Sequence, residues 1–275
     1  MVKIIDLSRE LALAVAAARA VAPGILAARA AGIEVDRKAG DEPVTEADRA
    51  ANRALVETLR REFPHDAVLS EEAEDDGERN DRERIWMVDP IDGTKDFIAG
   101  RSGFATMIGL VVGQRPVLGV VYQPDCDRLY YAAAGQGSFV VENGGAPERL
   151  AVSKVAALDE VRMVVSASHR DPIIDEVKQR IGCHDEENLG SVGLKLGLIA
   201  RGRRDLYVNP QGHSKLWDAC APEVLLTEAG GRLTDRTGKL LDYRRKELAN
   251  TEGLLASNTI LHDAVVERIA PLWRR

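Results

Sequence analysis

Apolar residues follow a helical spacing in the first part of the chain. The positions that repeat at this spacing are Leu7, Leu11, Val15, Ala18 and Ala22. They predict a helix over 7–31, bent or broken at Pro23 because proline cannot donate a backbone hydrogen bond inside a helix. After a polar loop, Thr45 is a candidate N-cap with Asp48 three residues later. A second helix is expected to begin there and to end at Pro64.

The pattern then changes to short apolar runs of the kind that form strands. A brief strand at 68–69 leads to Glu71-Glu72, a charged surface loop is expected at 73–84, and a buried strand at 85–88 follows it. The next apolar runs are 104–112, 116–122, 128–133 and 137–141. Glycine or proline separates these runs, which predicts an antiparallel meander.

The second half alternates between strands and helices. Strands are expected at 162–166, 205–208, 231–234 and 254–256, and helices at 173–181, 191–201, 215–229 and 259–272. This order predicts a layered α/β (α+β) fold. We expect an N-terminal half over 1–155, with most of the candidate site carboxylates, and a C-terminal half over 156–275, packed together as one integrated unit.

The composition of the 275 residues indicates a globular chain, since 45% are hydrophobic and 29% are charged. Aromatic residues contribute only 4%, so Ala, Val and Leu must supply the core. The formal net charge of -7 argues against a protein that binds polymeric nucleic acid or an anionic membrane, because either would need a basic face. An anionic small molecule is compatible with this charge, since bound cations reverse the sign locally.

Cysteine usage and the N-terminal pattern bear on location. Three cysteines stand far apart without a Cys-x-x-Cys pair, which argues against a structural zinc site and a disulfide framework and favours the reducing cytoplasm. We expect no membrane-spanning segment, because charged residues interrupt the Ala-rich N-terminal helix and the layout of a signal peptide is missing. The oligomeric state stays open, with a homodimer among the alternatives.

The most informative segment is DPIDGT at 89–94, directly after a predicted buried strand. Its carboxylates, Asp89 and Asp92, would repel each other unless cations lay between them, and hard oxygen ligands suit Mg²⁺. Gly93 permits the backbone to approach a ligand closely. A bare pair with this spacing is more often an Asp-rich turn that caps a helix. The buried strand before it and the Gly-Thr within it favour a ligand site.

Three other carboxylate positions also lie at the end of an element. Glu71-Glu72 follows a strand, Asp218 opens a predicted helix, and Asp48 lies near the start of its own helix. Each alone has an ordinary explanation, as a solvated acidic surface or as a negative charge at a helix N-terminus. Together with the DPIDGT pair they are what a metal-assisted phosphoryl-transfer site needs in a chain without a histidine cluster. The sequence contains no GxxxxGK[ST] loop, HExxH motif or GxSxG elbow.

These segments resemble the inositol monophosphatase superfamily of Mg²⁺-dependent, Li⁺-sensitive phosphatases. The matching segments, in order, are Glu71-Glu72, DPIDGT at 89–94, WDACAPE at 217–223 and EAGGRLTD at 228–235. The resemblance implies the αβαβα sandwich of the sugar phosphatases, with two or three Mg²⁺ at the carboxylates. The implied metal ligands are Glu71, Asp89, the Ile91 carbonyl, Asp92 and Asp218.

The resemblance also implies roles for the residues around this metal set. Thr94 and Asp48 would form a hydrogen-bonded pair that takes the proton of the attacking water, and Glu72 would orient a ligand or a water. The N–H groups of Gly93 and Thr94 would receive phosphate oxygens if a helix begins there.

Finer features resemble the 3′(2′),5′-bisphosphate nucleotidase branch, including its CysQ type. They are VTEAD at 44–48, GTKDF at 93–97, SASHR at 166–170 and GSVGLK at 190–195. Asp96 stands where that branch usually has Glu, a conservative change outside the metal set. The substrate contacts implied by this resemblance are Gly93, Thr94, Ser166, His169, Ser191 and Lys195. The implied reaction converts adenosine 3′,5′-bisphosphate to AMP and phosphate.

Two alternatives stay open. An inositol-1-phosphatase or a fructose-1,6-bisphosphatase of the same superfamily would carry the same carboxylates, and His169 and Lys195 have ordinary explanations as solvated residues. A catalytically silent metal-binding regulatory protein is the alternative of another class. The intact carboxylates and Thr94 argue against it.

Overall fold

The computed structural model describes residues 6–37, 43–168, 170–210, 212 and 214–274. Within these residues the α-helices are α1 (Ser8–Ala31), α2 (Glu46–Glu62), α3 (Thr94–Ile98), α4 (Ile173–Ile181), α5 (Val192–Ala200), α6 (Leu216–Glu228) and α7 (His262–Ile269). The strands there are β1 (Val35–Arg37), β2 (Pro43–Thr45), β3 (Ala67–Ser70), β4 (Arg84–Asp92), β5 (Ala105–Val112), β6 (Arg115–Gln123), β7 (Arg128–Ala133), β8 (Gly137–Glu142), β9 (Glu148–Arg149), β10 (Arg162–Ser166), β11 (Asp185–Leu189), β12 (Leu206–Asn209), β13 (Arg232–Thr234) and β14 (Leu254–Ser257).

Two large sheets alternate with three layers of helices. The first sheet has the order β3-β4-β5-β6-β7-β8-β9 and is antiparallel except for the β3–β4 pair. The second has the order β11-β10-β12-β14-β13, with β10 parallel to both of its neighbours. Helices α1 and α2 pack on the first sheet, α5 and α6 lie between the sheets, and α4 and α7 pack on the far face of the second. This layering confirms the predicted αβαβα fold.

Strand β4 shows how the first sheet is held between two helical layers. Ile85 and Met87 point to the middle layer, while Trp86 and Val88 point to α1 and α2. Successive side chains of a strand face opposite sides, so a strand buried on both faces is a continuous apolar run. Strand β4 continues past this apolar run to Asp92, although it was expected to end at Asp89. Its pairing with β5 is irregular between the two aspartates.

The elements missed by the sequence patterns are mostly short or polar. Strand β11 lies at the edge of the second sheet and consists largely of charged residues. Asp185 and Glu187 of β11 bind Arg204, and Glu186 binds Arg170 and Lys178. Charged side chains are typical of an edge strand, where they prevent pairing with another chain, but they give no apolar signal. The two-stranded β1–β2 sheet and β9 were missed for the same reason of length or polarity, and α3 was expected only conditionally, at Gly93 and Thr94.

The expected bend or break at Pro23 is wrong in its stronger form, because α1 continues unbroken from Ser8 to Ala31 with Pro23 inside it. By length and composition alone this helix is long and apolar enough to cross a membrane, a property that core helices and signal sequences share. Its buried face, which includes Ala14 and Ala18, packs in one cluster with α2 and the first sheet. In its apolar window, 28% is buried in the folded chain.

Candidate active site

Strand ends from both sheets and the beginnings of several helices surround one cavity of about 430 Å³. The predicted site residues that line it are Glu71, Asp89, Ile91, Asp92, Gly93, Thr94, Ser166, Ser191, Lys195 and Asp218. Two others, Asp48 and Glu72, are not part of its wall, and His169 lies outside the described residues. The structure therefore brings together most of the set that the sequence suggested, from elements up to about 150 positions apart (71 to 218).

Three aspartates form the acidic centre of this cavity. Asp89, Asp92 and Asp218 offer carboxylate oxygens that all lie within 4.8 Å of one another. Asp89 and Asp92 are 2% and 8% exposed, and Asp218 is partly buried in the first turn of α6. Glu71 follows β3, which is parallel to β4, so the two strands end on the same side of the sheet.

The electrostatics of this cluster are unfavourable without a cation. Burial, followed by repulsion from Glu71, Asp92 and Asp218, raises the pKa of Asp89 well above its usual range. Burial and repulsion from Asp92 and Glu71 do the same to the pKa of Asp218. Among the described residues, Asp89 Oδ1 is buried and has no hydrogen-bond partner. A buried, unpartnered carboxylate oxygen facing other carboxylates fits a divalent cation, which would supply the missing partner and cancel the repulsion.

Protein donors hold Asp92 in place, in contrast to the oxygen of Asp89 that lacks a partner within the described part of the chain. Ser191 Oγ donates to Asp92 Oδ2 over 2.5 Å, and the N–H of Gly193 donates to the same oxygen over 3.0 Å. Burial raises the pKa of Asp92, while Lys195 and these donors oppose the rise. Since the single hydroxyl proton of Ser191 is donated to Asp92, this side chain positions a carboxylate. Its predicted contact with a substrate stays a prediction.

The backbone is unusual both at Ser191, which donates to Asp92, and at Gly93, which follows Asp92. Ser191 has φ 54°, in the left-handed region that non-glycine residues rarely adopt, and its Oγ accepts from the Leu194 N–H over 3.1 Å to cap α5. Gly93 has φ 94° and lies so close to the backbone of Gly103 that a Cβ would collide with it. A glycine is therefore required at this turn.

The beginning of α3 has the predicted geometry, but the Thr94–Asp48 pair stays a prediction. Helix α3 does begin at Thr94, with Gly93 as its N-cap. Thr94 Oγ1 donates to the Ile91 carbonyl over 3.1 Å. Asp48 is 1% exposed and accepts from the Thr45 N–H over 2.8 Å and from Thr45 Oγ1 over 2.5 Å, completing the capping box expected at the start of α2.

Lys195 is a buried cation in the wall of the cavity. It is 2% exposed, its Nζ donates to the Leu189 carbonyl over 3.3 Å, and it lies 5.2 Å from the ring centroid of Tyr207. Burial lowers the pKa of Lys195 to about 8, although Asp92, Asp96 and Asp218 favour the charged form. A buried lysine in a cavity with four carboxylates suits an anionic ligand, because it supplies local positive charge in an acidic chain.

Several residues of the cavity wall were not named as site residues from the sequence, although five of them lie within segments that carry the family resemblance. They are Pro43, Lys95, Ser168, Gly190, Val192, Tyr207, Asn209, Ser214, Lys215 and Trp217. A usable signal existed for some of them, because Tyr207 lies on the strand predicted at 205–208, Asn209 directly follows it, and ligands gather at strand ends in α/β folds. Lys215 and Trp217 flank the beginning of the helix that carries Asp218.

Comparison with known proteins agrees with this arrangement. The family model described as "Inositol monophosphatase family" matches residues 6–273. The 3′(2′),5′-bisphosphate nucleotidase CysQ of Salmonella typhimurium is 39% identical over 220 residues, 78% of this chain and 85% of that protein. The histidinol-phosphatase of Mycobacterium tuberculosis is 36% identical over 242 residues, 86% of this chain and 88% of that protein. The solved structure of Thermotoga maritima IMPase has a TM-score of 0.80 at 28% identity, covering 96% of this chain and 98% of the other. The chain belongs to the inositol monophosphatase family of phosphatases.

Proposed function

We propose that this protein is a Mg²⁺-dependent 3′(2′),5′-bisphosphate nucleotidase that converts adenosine 3′,5′-bisphosphate to AMP and phosphate. The observation that carries the proposal is the buried Lys195 beside the carboxylate cluster, since a substrate with a second phosphate needs a positive charge in addition to the metal ions. Its 39% identity to a CysQ nucleotidase supports the same substrate class.

The proposed metal ligands are the carboxylates of the cavity together with one backbone oxygen. Two or three Mg²⁺ would be held by Glu71, Asp89, the Ile91 carbonyl, Asp92 and Asp218. Bound Mg²⁺ would neutralise phosphate charge and make a water more acidic. Excess chelator should therefore abolish turnover, and added Mg²⁺ should restore it. We also expect Li⁺ to inhibit relative to a matched NaCl control.

The proposed chemical step is an in-line attack of water on the 3′-phosphorus. Thr94 and Asp48 take the proton of that water, while Glu72 orients a water or a ligand nearby. The bond from phosphorus to the 3′-oxygen breaks, and this oxygen takes up a proton from solvent water to leave as the 3′-hydroxyl, while Asp48 returns its proton to solvent. The N–H groups of Gly93 and Thr94, at the start of α3, would receive phosphate oxygens.

The role of Thr94 can be tested by separating kcat from KM. Thr94→Ala should lower kcat much more than it changes KM, because proton transfer matters in the transition state rather than in substrate binding. A change confined to KM would reassign Thr94 to substrate binding.

The proposed substrate contacts lie on the C-terminal side of the cavity. Ser166, Ser191 and Lys195, together with His169, would contact the nucleotide. We propose that 1–155 and 156–275 act as one catalytic unit, which is supported by the bonds from Ser191 and Gly193 to Asp92 across the two halves. A cytoplasmic location is proposed as well. All three cysteines are free thiols, as is usual in a reducing compartment.

One side-by-side assay tests the substrate. We expect adenosine 3′,5′-bisphosphate to have a higher kcat/KM than inositol-1-phosphate, fructose 1,6-bisphosphate and histidinol phosphate at equal Mg²⁺ and ionic strength. The last substrate is included because a histidinol-phosphatase is 36% identical to this chain. A higher kcat/KM for any of the other three would overturn the nucleotidase proposal and leave the family phosphatase. Absence of Mg²⁺-dependent phosphate release from every substrate would favour the catalytically silent alternative.

A further inference from the structure

Asp218 is held in place by the segment before α6, and that segment is bonded in turn to the loop at 242–250 (the 242–250 loop). The 242–250 loop contributes no predicted site residue. The N–H of Lys215 donates to the Asp218 carboxylate over 2.8 Å. The carbonyl of Lys215 accepts from the side-chain amide of Asn250 over 2.7 Å, and the same amide donates to Ser214 Oγ over 3.0 Å. Asn250 is 2% exposed and is not part of the cavity wall. The orientation of Asp218 therefore depends on Asn250 through a single intervening residue.

The backbone of this loop runs alongside the beginning of α6. Lys215 and Ala249 form an antiparallel bridge. The N–H of Leu216 donates to the Leu248 carbonyl over 3.0 Å, and the N–H of Asn250 donates to the Ser214 carbonyl over 2.8 Å. Asn250 thus contacts the segment before α6 through both its backbone and its side chain.

The same loop is attached on its other side to the segment that follows Glu71-Glu72. Arg245 donates to Asn250 Oδ1 over 2.5 Å and to the Ala249 carbonyl over 3.1 Å. Arg79 donates to the carbonyls of Arg245 and Lys246 over 3.0 and 3.3 Å. The loop is therefore bonded to both segments.

The burial of Arg79 shows that this connection is a built feature. The segment 73–84 was expected to be a charged surface loop, yet Arg79 is only 4% exposed. Its Nε donates to Asp75 over 2.8 Å, so the buried charge is paired, and its remaining donors reach the carbonyls of the 242–250 loop. A buried guanidinium is costly unless it is paired and hydrogen-bonded, and here both conditions are met.

The connection matters because the Asp218 carboxylate is repelled by its neighbours. Asp92 and Glu71 both act against the charged form of Asp218, and this repulsion favours a movement of Asp218 away from them. Hydrogen bonds that hold the segment before α6 in place oppose that movement. A ligand set already held in place binds a cation with a smaller cost of reorganisation.

We propose that Asn250, with Arg245 and Arg79, forms a positioning network that keeps the Asp218 carboxylate oriented to bind a divalent cation. The inference rests on the proposed metal site, and it assigns to the 242–250 loop a role in metal affinity rather than in substrate contact. These three are positioning residues, since none of them lines the cavity.

The test measures binding of Mn²⁺ alone, by electron paramagnetic resonance or calorimetry, to the full-length protein and to Asn250→Ala. Loss of a residue that orients a metal ligand typically weakens binding about 10-fold or more, so we expect Kd for Mn²⁺ to rise by about 10-fold. At saturating Mg²⁺, kcat and the substrate KM should return to near the wild-type values, because no group that contacts substrate has changed.

Asn258→Ala is the matched control. Asn258 is another fully buried asparagine, whose amide donates to the carbonyls of Ser153 and Val155 and whose Oδ1 accepts from the Leu261 N–H. None of these partners lines the cavity. Asn258→Ala should lower Tm as Asn250→Ala does, while leaving Kd for Mn²⁺ unchanged.

Arg79→Lys provides the second variant, because it keeps the charge and loses the two-pronged contact with the loop. A weaker Mn²⁺ affinity in Arg79→Lys supports the network even where Asn250→Ala fails to fold. Wild-type affinity in both Arg79→Lys and a folded Asn250→Ala would overturn the network and leave the metal site intact. An unfolded Asn250→Ala with wild-type affinity in Arg79→Lys would also overturn it. A wild-type protein that binds no Mn²⁺ would overturn the proposed metal site itself, and the network with it.

Discussion

Asp89 and Asp205 are both buried, at 2% and 0% exposure, yet the fold treats their charges in opposite ways. Burial alone would raise the pKa of Asp205, but hydrogen bonds from Arg162 and Ser153 outweigh it and lower the pKa. The carboxylate of Asp205 accepts from the Arg162 backbone, from two nitrogens of its guanidinium and from Ser153 Oγ. Asp89, in contrast, has neighbours that are carboxylates and an oxygen without a partner among the described residues.

The difference separates buried charge that supports the fold from buried charge held for a ligand. Around Asp205 the protein supplies every donor, so the charge is stabilised by the folded chain itself. Around Asp89 the protein supplies repulsion, so the folded chain bears an energetic cost that a cation would remove. The same residue type at the same depth can therefore be assigned to structure or to chemistry by its partners.

Asp89→Asn is the most direct test of this difference between Asp89 and Asp205. The substitution removes one repelling charge, so Tm without added metal should stay equal or rise. Loss of a metal ligand should lower kcat/KM by at least about 100-fold, since metal stabilisation of transition-state charge amounts to several kcal/mol. The measurements are Tm with and without Mg²⁺ and turnover at saturating Mg²⁺. Near-normal turnover in Asp89→Asn would reject the assignment of Asp89 to the metal site.

His262 offers a third type of buried titratable group, one that burial keeps neutral. It is fully buried between Thr234 Oγ1 and Ser257 Oγ, at 2.9 and 2.8 Å from its ring nitrogens. Burial, assisted by Arg232, lowers its pKa from 6.5 to about 4.

The sign of its effect on stability follows from that direction. Between pH 4 and 6.5, His262 binds a proton in the unfolded state but not in the folded state. The free energy of unfolding therefore falls as pH drops through this window. The loss is on the order of 3 kcal/mol at about pH 4. Urea unfolding at several pH values in wild type and His262→Gln measures it. Equal pH dependence in the two proteins would contradict this role for His262.

Asp205→Asn tests the other side of the comparison. The amide keeps the size of the side chain but replaces charge-assisted hydrogen bonds, so the free energy of unfolding should fall by about 2 kcal/mol. Turnover per folded molecule should not change. Asp263→Asn is the control, because Asp263 pairs with Arg232 at the surface, with 85% of its side chain exposed, and should cost below about 1 kcal/mol. A similar loss in both variants would show that burial of Asp205 is not what makes its contacts matter.

The sequence predicted those parts of the fold and site that depend on local signals. The capping box of Thr45 and Asp48 is read within four residues, and DPIDGT directly follows an apolar strand. Strands of the meander were found because each is a short apolar run bounded by a turn. Such signals belong to one segment and need no knowledge of the rest of the chain.

The parts that could not be predicted depend on contacts between distant segments. Ser191 donates to Asp92 across 99 positions, and Arg79 reaches Arg245 across 166. Nothing near Arg79 in the sequence distinguishes it from the exposed charges around it. Its burial is decided by the loop that packs over it. The convergence of Glu71 and Asp218 on one cavity was expected from the family resemblance, not from local signals.

Lys195→Ala has the smallest expected effect, and it tests whether the carboxylate cluster and this buried cation serve one substrate. Like Arg162, Lys195 is a cation with aspartates nearby. Lys195 lines the cavity, however, where Asp92, Asp96 and Asp218 favour its charged form. If it binds the phosphate that is not cleaved, its loss should reduce kcat/KM for adenosine 3′,5′-bisphosphate by about 10-fold, or ~1.4 kcal/mol. Slow hydrolysis of simple monophosphates should be largely retained, because they have no second phosphate to bind. Both substrates are measured with wild type and variant at the same Mg²⁺ and salt. Equal losses for both substrates would mean that Lys195 supports the carboxylate site itself, and the nucleotidase proposal would lose its main support.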